Sequence, residues 1–321
     1  MQKGAGRQGP GATAREAKYW AAAQLGARRS QVRFRRLRGG VEGTTWLATT
    51  RRPDGVRSGV LRLDDRADSE TARLHASWKT SILASLADSG LPAASLIASH
   101  PDLRGSGPVA YLTSRLPGVA SLPVDFRPRR SEAAGEMLAR IHLLSEPFRS
   151  RLSGIGEAWW MRLRDVAETE TGHDSRYREQ WSLVRAALDS VNLNESVVLH
   201  GDYWMGNLLW RRDRLTGVID WGSGPGPSGA DVGYARLDQW LWYGPDGVAS
   251  LSDAYAAVRG GLPEDLWFWD LVLALFAAKQ VQEWPPGLAE LGRVDLTVPT
   301  LADRVDLFIA DAWERAGSRR R

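Results

Sequence analysis

Cysteine is absent from the 321-residue chain. That removes disulfide frameworks, thiolate metal sites and cysteine nucleophiles from consideration. The absence fits a reducing compartment, and the cytoplasm is the expected location. Lysine is scarce as well, confined to Lys3, Lys18, Lys79 and Lys279, so most positive charge is arginine. No apolar run approaches the roughly 18 residues that a membrane span requires, and no membrane partner is expected. The opening stretch MQKGAGRQGPGATAR has glycine and arginine but no apolar centre. It does not read as a secretory signal. Residues 1–15 are expected to form a short disordered arm. No internal repeats are visible.

What is present is ordinary for a folded protein: 43% hydrophobic and 25% charged residues, enough chain for one large or two modest domains. The net charge of +4 raises nucleic acid as a partner. Its distribution argues otherwise. From Asp231 to Arg315 there are 14 Asp and Glu against 6 Lys and Arg, so that segment is −8 and the rest +12. No basic helical stripe or stacking motif accompanies the excess, and nucleic acid is not expected. A basic half for a nucleotide and an acidic half for a cationic small molecule is the more economical reading. A solvated charged surface would give the same counts.

The densest chemistry runs from Val197 to Asp238. Val197-Val198-Leu199 reads as a strand end delivering His200-Gly201-Asp202 into a loop. Asn207-Leu208-Leu209-Trp210 and Leu215-Thr216-Gly217-Val218-Ile219, joined by a polar turn, read as a hairpin ending on Asp220. That hairpin brings Asn207 and Asp220 to one end, beside the loop with Asp202. A carboxylate and an amide oxygen are hard ligands suited to Mg²⁺ bound together with substrate phosphates. A second carboxylate, Asp202, is free to orient a hydroxyl and accept its proton. The spacing D-x-x-x-x-N followed by a later Asp matches the kinase catalytic loop. Taken singly, each of these residues would more often cap a strand or close an Asx-turn.

The three pieces His200 to Trp210 (H-G-D-x-x-x-G-N-x-L-W), Gly217 to Trp221 (G-V-I-D-W) and Gly226 to Gly233 (G-P-x-x-x-D-V-G) resemble the aminoglycoside phosphotransferase family. That family is a branch of the protein-kinase-like fold. The resemblance implies an α+β, two-lobe architecture: a small antiparallel-sheet N-lobe over 16–117 and a mainly helical C-lobe over 118–321. It implies ATP-dependent transfer of the γ-phosphoryl group to a small-molecule hydroxyl. Asp202 would be the catalytic base, Asn207 and Asp220 would hold Mg²⁺, and His200 and Asp231 would brace the loop. A histidine at a strand end is more often a hydrogen-bonded structural group than a proton donor, and His200 is given the structural role.

In chain order, 13–24 reads as a helix with Tyr19, Trp20 and Ala23 on one face. Val32–Leu37 and Thr44–Thr50 read as strands. Between them Gly39, Gly40 and Gly43 would let backbone amides approach phosphates, although most Gly-Gly turns are only turns. On the next strand, Gly59–Leu63, Arg62 stands where kinases have a phosphate-gripping lysine. Arginine can bind phosphate bidentately with a different geometry; a strand arginine can also simply face solvent. On the helix Ser69–Asp88 the usual glutamate position falls on Lys79, and Glu70 lies more than two turns earlier. Residues 108–113 read as a strand. Ser114-Arg115-Leu116-Pro117-Gly118 resembles the inter-lobe hinge that packs adenine, which puts Ser114 among the nucleotide residues.

Beyond it, Glu132–Leu144 has helical apolar spacing. Residues 145–195 read as a polar linker and two helices, and the chain after Asp238 as helical and rich in tryptophan. Tryptophans at helical spacing are more often core than ligand box, though some could face an organic cation. Asp238 and Glu283 are the residues guessed to meet a cationic acceptor. An aminoglycoside is the favoured acceptor, then an amine-bearing macrolide, a choline-like molecule or an amino sugar. The competing class is a non-catalytic nucleotide- or ligand-binding member of the fold.

Overall fold

A computed structural model describes residues 10–37, 44–64, 69–100, 109–153, 159–172 and 176–318. The chain divides into two compact units, Met1–Leu116 and Pro117–Arg321. Gly39, Gly40 and Gly43 lie outside the described residues.

The N-terminal unit is built on five antiparallel strands: β1 (Val32–Arg36), β2 (Thr44–Arg52), β3 (Gly55–Asp64), β4 (Leu96–His100) and β5 (Val109–Ser114), in the order β1-β2-β3-β5-β4. Side chains alternate across a strand, so each strand offers one set of residues to each face. On one face Trp46, Ala48, Leu61, Leu63, Ala110 and Leu112 pack against α1 (Pro10–Gln24). On the other, Val109 and Tyr111 pack against Ala76 of α2 (Ser69–Ser85). Helix α1 begins inside the expected disordered arm. It meets the sheet through Ala17, Ala21 and Ala22, with Leu25 just past its end and Trp20 packed against the same core; Tyr19 is 58% exposed. The spacing of 17, 21 and 25 is one helical stripe, and its small side chains let the helix lie close to the sheet.

The C-terminal unit opens with β6 (Val119–Ala120) and α3 (Pro128–His142), followed by α4 (Glu146–Leu152), α5 (Leu163–Gly172) and α6 (Arg178–Ala187). Three helices thus stand where two were expected. Next comes the hairpin of β7 (Leu208–Arg211) and β8 (Arg214–Val218), with β6 paired to the outer edge of β7. Its two-residue turn puts Arg212 at φ 56°. Arg130 of α3 grips that turn, donating to Asp213 at 3.0 Å and to the Arg212 carbonyl at 2.6 Å. The remaining helices are α7 (Ser228–Tyr243), α8 (Pro245–Arg259), α9 (Leu266–Gln280), α10 (Pro285–Glu290) and α11 (Val298–Ser318).

Helix α7 is the centre of this unit, packed against α8, α9 and α11. Most of its residues are buried, so both its apolar and its polar side chains must find partners inside. Arg236 donates through Nε and Nη2 to Asp270 of α9, and Arg315 of α11 reaches the same carboxylate at 2.6 Å. Gly229 makes the α7–α9 contact possible: a Cβ there would sit 2.0 Å from the indole of Trp269. Among the described residues, no helix is long and apolar enough to cross a membrane.

Candidate active site

Residues 197–207 form no regular strand. A single bridge, Val197 to Gly226, anchors the segment, and Val198 and Leu199 are buried beneath it. The chain then turns sharply at Gly201, with φ 85°. A side chain at that position would meet Ser223 at 2.4 Å as well as adopting a left-handed backbone, so glycine is required twice over.

His200 is fully buried and fixes the turn with three hydrogen bonds. Its N–H donates to Asp231 Oδ2 at 2.6 Å, its Nε2 meets the Ile219 carbonyl at 2.9 Å, and its Nδ1 accepts the Asp202 N–H at 3.2 Å. A carbonyl can only accept, so Nε2 carries a proton and Nδ1 is left as the acceptor. The ring joins the Asp202 loop to the end of β8.

Asp231, at the first turn of α7, accepts from both His200 N and Gly201 N, the latter at 2.9 Å. Its Oδ2 also lies 3.5 Å from Nε2 of His142 on α3, whose Nδ1 is held by Tyr255 at 2.8 Å. Burial pushes this carboxyl up. The hydrogen bond and charge of His142, with the backbone N–H of His200, outweigh it and leave Asp231 below the usual carboxylate range.

Asp202 is held from the side by Asn207, whose amide nitrogen donates to the Asp202 carbonyl at 2.9 Å and to its Oδ2 at 2.8 Å. Asn207 closes a 3-10 turn, and its own carbonyl accepts the Ile219 N–H at 2.9 Å. That bond sets Asp220, the next residue, beside Asn207. Asp220 itself has φ 62°, uncommon for a residue with a side chain and a sign that its surroundings hold it there. The Asp202 carboxyl titrates above the usual range, chiefly through burial. His200 draws it down, the charge of Asp220 raises it further, and the hydrogen bond from Asn207 only partly compensates.

These donors fit a divalent cation. The Asn207 nitrogen is committed to Asp202, which leaves its amide oxygen as the end available to a metal. The charges of Asp202 and Asp220 oppose each other, and a cation would relieve that opposition. Among the described residues no cluster of three or more His, Cys, Asp or Glu forms a protein-only cage. Two protein ligands plus substrate phosphates is the usual way Mg²⁺ is held.

The guessed acceptor residues fall elsewhere. Asp238 is 5% exposed and faces inward: Oδ2 accepts the Met205 N–H at 3.2 Å and Oδ1 accepts the Trp242 indole N–H. Both oxygens are engaged within the chain, so Asp238 is corrected from an acceptor contact to a support of the loop. Glu283 is exposed on a 3-10 turn, Val281–Glu283. Acidic side chains of this unit gather instead at Glu132, Glu136, Asp246 and Asp253, lining a groove of about 500 Å³ between α3 and α8. In the N-terminal unit, Arg62 is half-buried on β3 opposite Thr45 and Tyr111, and Lys79 is half-buried on α2. The Ser114 hydroxyl accepts the Ser95 N–H at 2.9 Å.

Sequence reasoning missed the inward direction of Asp238. The available signal was spacing: residues 231, 234 and 238 share one face of α7.

The sequence profile of the phosphotransferase enzyme family (APH) matches residues 33–269, more than half of the chain. No curated protein sequence matches significantly. Among solved structures, a candidate aminoglycoside phosphotransferase from Ralstonia eutropha superposes with a TM-score of 0.68 at 16% identity, over 95% of this chain and 98% of that one. The macrolide 2′-phosphotransferase MphH from Brachybacterium faecium gives 0.59 at 21%, over 87% and 98%. A thermostable mutant of aminoglycoside phosphotransferase APH(4)-Ia, in complex with ADP and hygromycin B, gives 0.59 at 17%, over 91% and 97%. At these identities the likeness shows the fold, that of the kinase-like phosphotransferases. The extent of the profile match establishes the rest: the chain is a member of the phosphotransferase enzyme family, whose enzymes are small-molecule kinases.

Proposed function

We propose that the protein transfers the γ-phosphoryl group of ATP to a hydroxyl of a small, amine-bearing molecule, with an aminoglycoside-like acceptor favoured. The observation behind this reading is the Asp202 carboxylate, gripped by Asn207 and raised in pKa beside Asp220. Mg²⁺, held by Asn207 and Asp220 with the nucleotide phosphates, would neutralise charge on the transferring group. Asp202 orients the acceptor hydroxyl and takes its proton as the new O–P bond forms and the bond to the ADP oxygen breaks. A carboxylate with an elevated pKa is better matched to that task than an ordinary one. His200 and Asp231 hold the loop and exchange no proton with substrate.

In the N-terminal unit, Arg62 and Ser114, with Gly39, Gly40 and Gly43, are assigned to the nucleotide. Arg62 supports that role by its place on the middle strand β3. The amine preference rests on the acidic balance of residues 231–315 and on the carboxylates of the α3–α8 groove. A macrolide, a choline-like molecule or an amino sugar would meet the same preference. ATP as donor points to the cytoplasm as the compartment.

The test combines a thermal shift with ATP and Mg²⁺ and transfer of labelled γ-phosphate across aminoglycosides, macrolides, choline and amino sugars. Asp202→Asn should reduce turnover on the order of 10²–10⁴-fold with little change in ATP affinity. Asp220→Ala should abolish the Mg²⁺-dependent tightening of nucleotide binding. No thermal shift and no transfer to any acceptor would favour the non-catalytic class instead.

A further inference from the structure

Asp202, Tyr203 and Trp204 follow one another with alternating exposure: half-buried, 1% exposed, half-buried. Tyr203 points into the core, where its hydroxyl donates to the Ala134 carbonyl at 2.8 Å. Trp204 is extended, with φ −136° and ψ 164°. Side chains alternate along an extended chain, so Trp204 leaves the loop on the side away from Tyr203, which is also the side of Asp202.

The indole is seated. The Trp204 carbonyl accepts the Asn207 N–H at 2.9 Å, which closes the 3-10 turn and fixes the backbone. The six-membered ring lies on Gly206: a Cβ there would sit 2.2 to 2.5 Å from three ring carbons. Gly206 is not among the glycines with positive φ, so its value here is the room it gives the ring. The rest of the indole is uncommitted. The N–H groups of Trp221, Trp240 and Trp242 donate to protein oxygens, and those of Trp181 and Trp210 are sealed in the core. Among the described residues, the Trp204 N–H donates to no protein atom and is not sealed off, and neither a ring nor a cation packs on the indole. Scattered exposed aromatics are common on protein surfaces. This one is held against a glycine two residues from the Asp202 carboxylate.

We propose that Trp204 sets the acceptor preference: its open indole face binds an ammonium group carried within a few bonds of the hydroxyl that Asp202 receives. The ligand class is therefore an amino alcohol. The proposal rests on the reading of Asp202 as the base and names a contact for the amine beside it. Tryptophan is the best aromatic face for a cation, which it holds within about 6 Å of the ring centroid. Residues two apart have Cα atoms no more than about 7 Å from each other, so the groups held by Asp202 and Trp204 belong to neighbouring atoms of one small molecule. In a partly enclosed site such a contact is worth about 5- to 30-fold in affinity.

The experiment follows the indole N–H signals of the ¹⁵N-labelled full chain with Mg²⁺ and a non-hydrolysable ATP analogue. The signal lost in Trp204→Leu identifies Trp204 among the 15 tryptophans. Kanamycin, glucosamine and choline are titrated as amino alcohols, with N-acetylglucosamine as the uncharged control. The Trp204 signal should shift saturably with at least one amine and stay in place with the control. Trp204→Leu should weaken binding of that amine about 5- to 30-fold, with the affinity for the analogue within about twofold and the melting temperature nearly unchanged. A signal that ignores all three amines, or moves as far with N-acetylglucosamine, would overturn the proposal. So would an unchanged amine affinity in Trp204→Leu. Transfer of labelled γ-phosphate from ATP, measured on the same three amines, separates the two readings. Transfer to an amine that leaves the Trp204 signal unmoved removes Trp204 and leaves Asp202 standing. A Trp204 shift with no transfer to any of the three would overturn the base and the preference built on it together.

Discussion

The two ends of α7 present the same chemical group to the same loop under different electrostatic conditions. Asp231 and Asp238 lie two turns apart, both buried, and each accepts at least one backbone N–H from the segment around Asp202. Yet Asp231 is held below the usual carboxylate range, while Asp238 is pushed up to about 8 by burial. Their partners explain the difference. Asp231 has two imidazole rings nearby and two backbone donors. Asp238 has one backbone donor and one indole N–H, and the nearby charge of Asp202 pushes it further up. Burial sets a common cost for the charged form, and the count of donors and cations decides whether that cost is met. The loop is thus tied at one end by an ionised clamp and at the other by a carboxyl that is mostly protonated near neutrality.

The strongest way to break the comparison is to remove the ionised clamp. Asp231→Ala leaves the N–H groups of His200 and Gly201 without their acceptor in a dry interior and takes the partner from His142. Each orphaned buried donor costs about 1–3 kcal/mol, so a loss of about 3 kcal/mol or more is expected in urea denaturation, together with loss of phosphoryl transfer. A variant with wild-type stability would mean that the turn at Gly201 holds without α7.

Asp238→Asn tests the other end, through pH. In the unfolded chain this carboxyl ionises near 4, and in the folded chain at about 8. Between those values the unfolded state has lost a proton that the folded state keeps, so stability falls as pH rises through the window and is unaffected by this group below it. The slope is at most about 1.4 kcal/mol per pH unit. Asparagine has no such proton, so the melting temperature of the variant relative to wild type should climb from pH 5 to pH 8. A constant difference across that range would show that Asp238 is ionised in the fold and that the two ends are alike.

Much of this was legible in the sequence where meaning is local. His200-Gly201-Asp202, Asn207 and Ile219-Asp220 lie within one short hairpin and its loop, so their convergence follows from turn and strand signals alone. Strand β2, with four threonines, shows itself by its β-branched residues, and β5 by its short apolar run. Edge strand β4 was not read, because Leu96-Ile97-Ala98-Ser99-His100 is half polar and too short to stand out. On α1 the sequence showed Tyr19, Trp20 and Ala23 on one face, while the closest helix–sheet contact uses the alanines Ala17, Ala21 and Ala22. Asp238 was misread for a deeper reason. An aspartate in an acidic segment looks solvated, and nothing nearby in sequence announces that Met205, 33 residues away, supplies its hydrogen bond.

The smallest expected effect sharpens the comparison by separating charge from hydrogen bonding at Asp231. His142 lies 3.5 Å from Asp231 Oδ2, a longer approach than the 2.6 and 2.9 Å of the two backbone donors. His142→Gln keeps a side chain able to reach Tyr255 and Asp231 but removes the capacity for positive charge. A carboxyl with a depressed folded pKa adds stability above its unfolded pKa and loses it as pH falls through the folded value. With the imidazole gone, the folded pKa of Asp231 should rise towards the unfolded one, shrinking that contribution. The acid-unfolding midpoint should then move up by a fraction of a pH unit, with near wild-type stability at pH 8. An unchanged midpoint would mean that the N–H groups of His200 and Gly201 alone keep Asp231 ionised. The contrast with Asp238 would then be one of two backbone donors against one, and the imidazoles would serve only to pack α3 and the catalytic turn against α7.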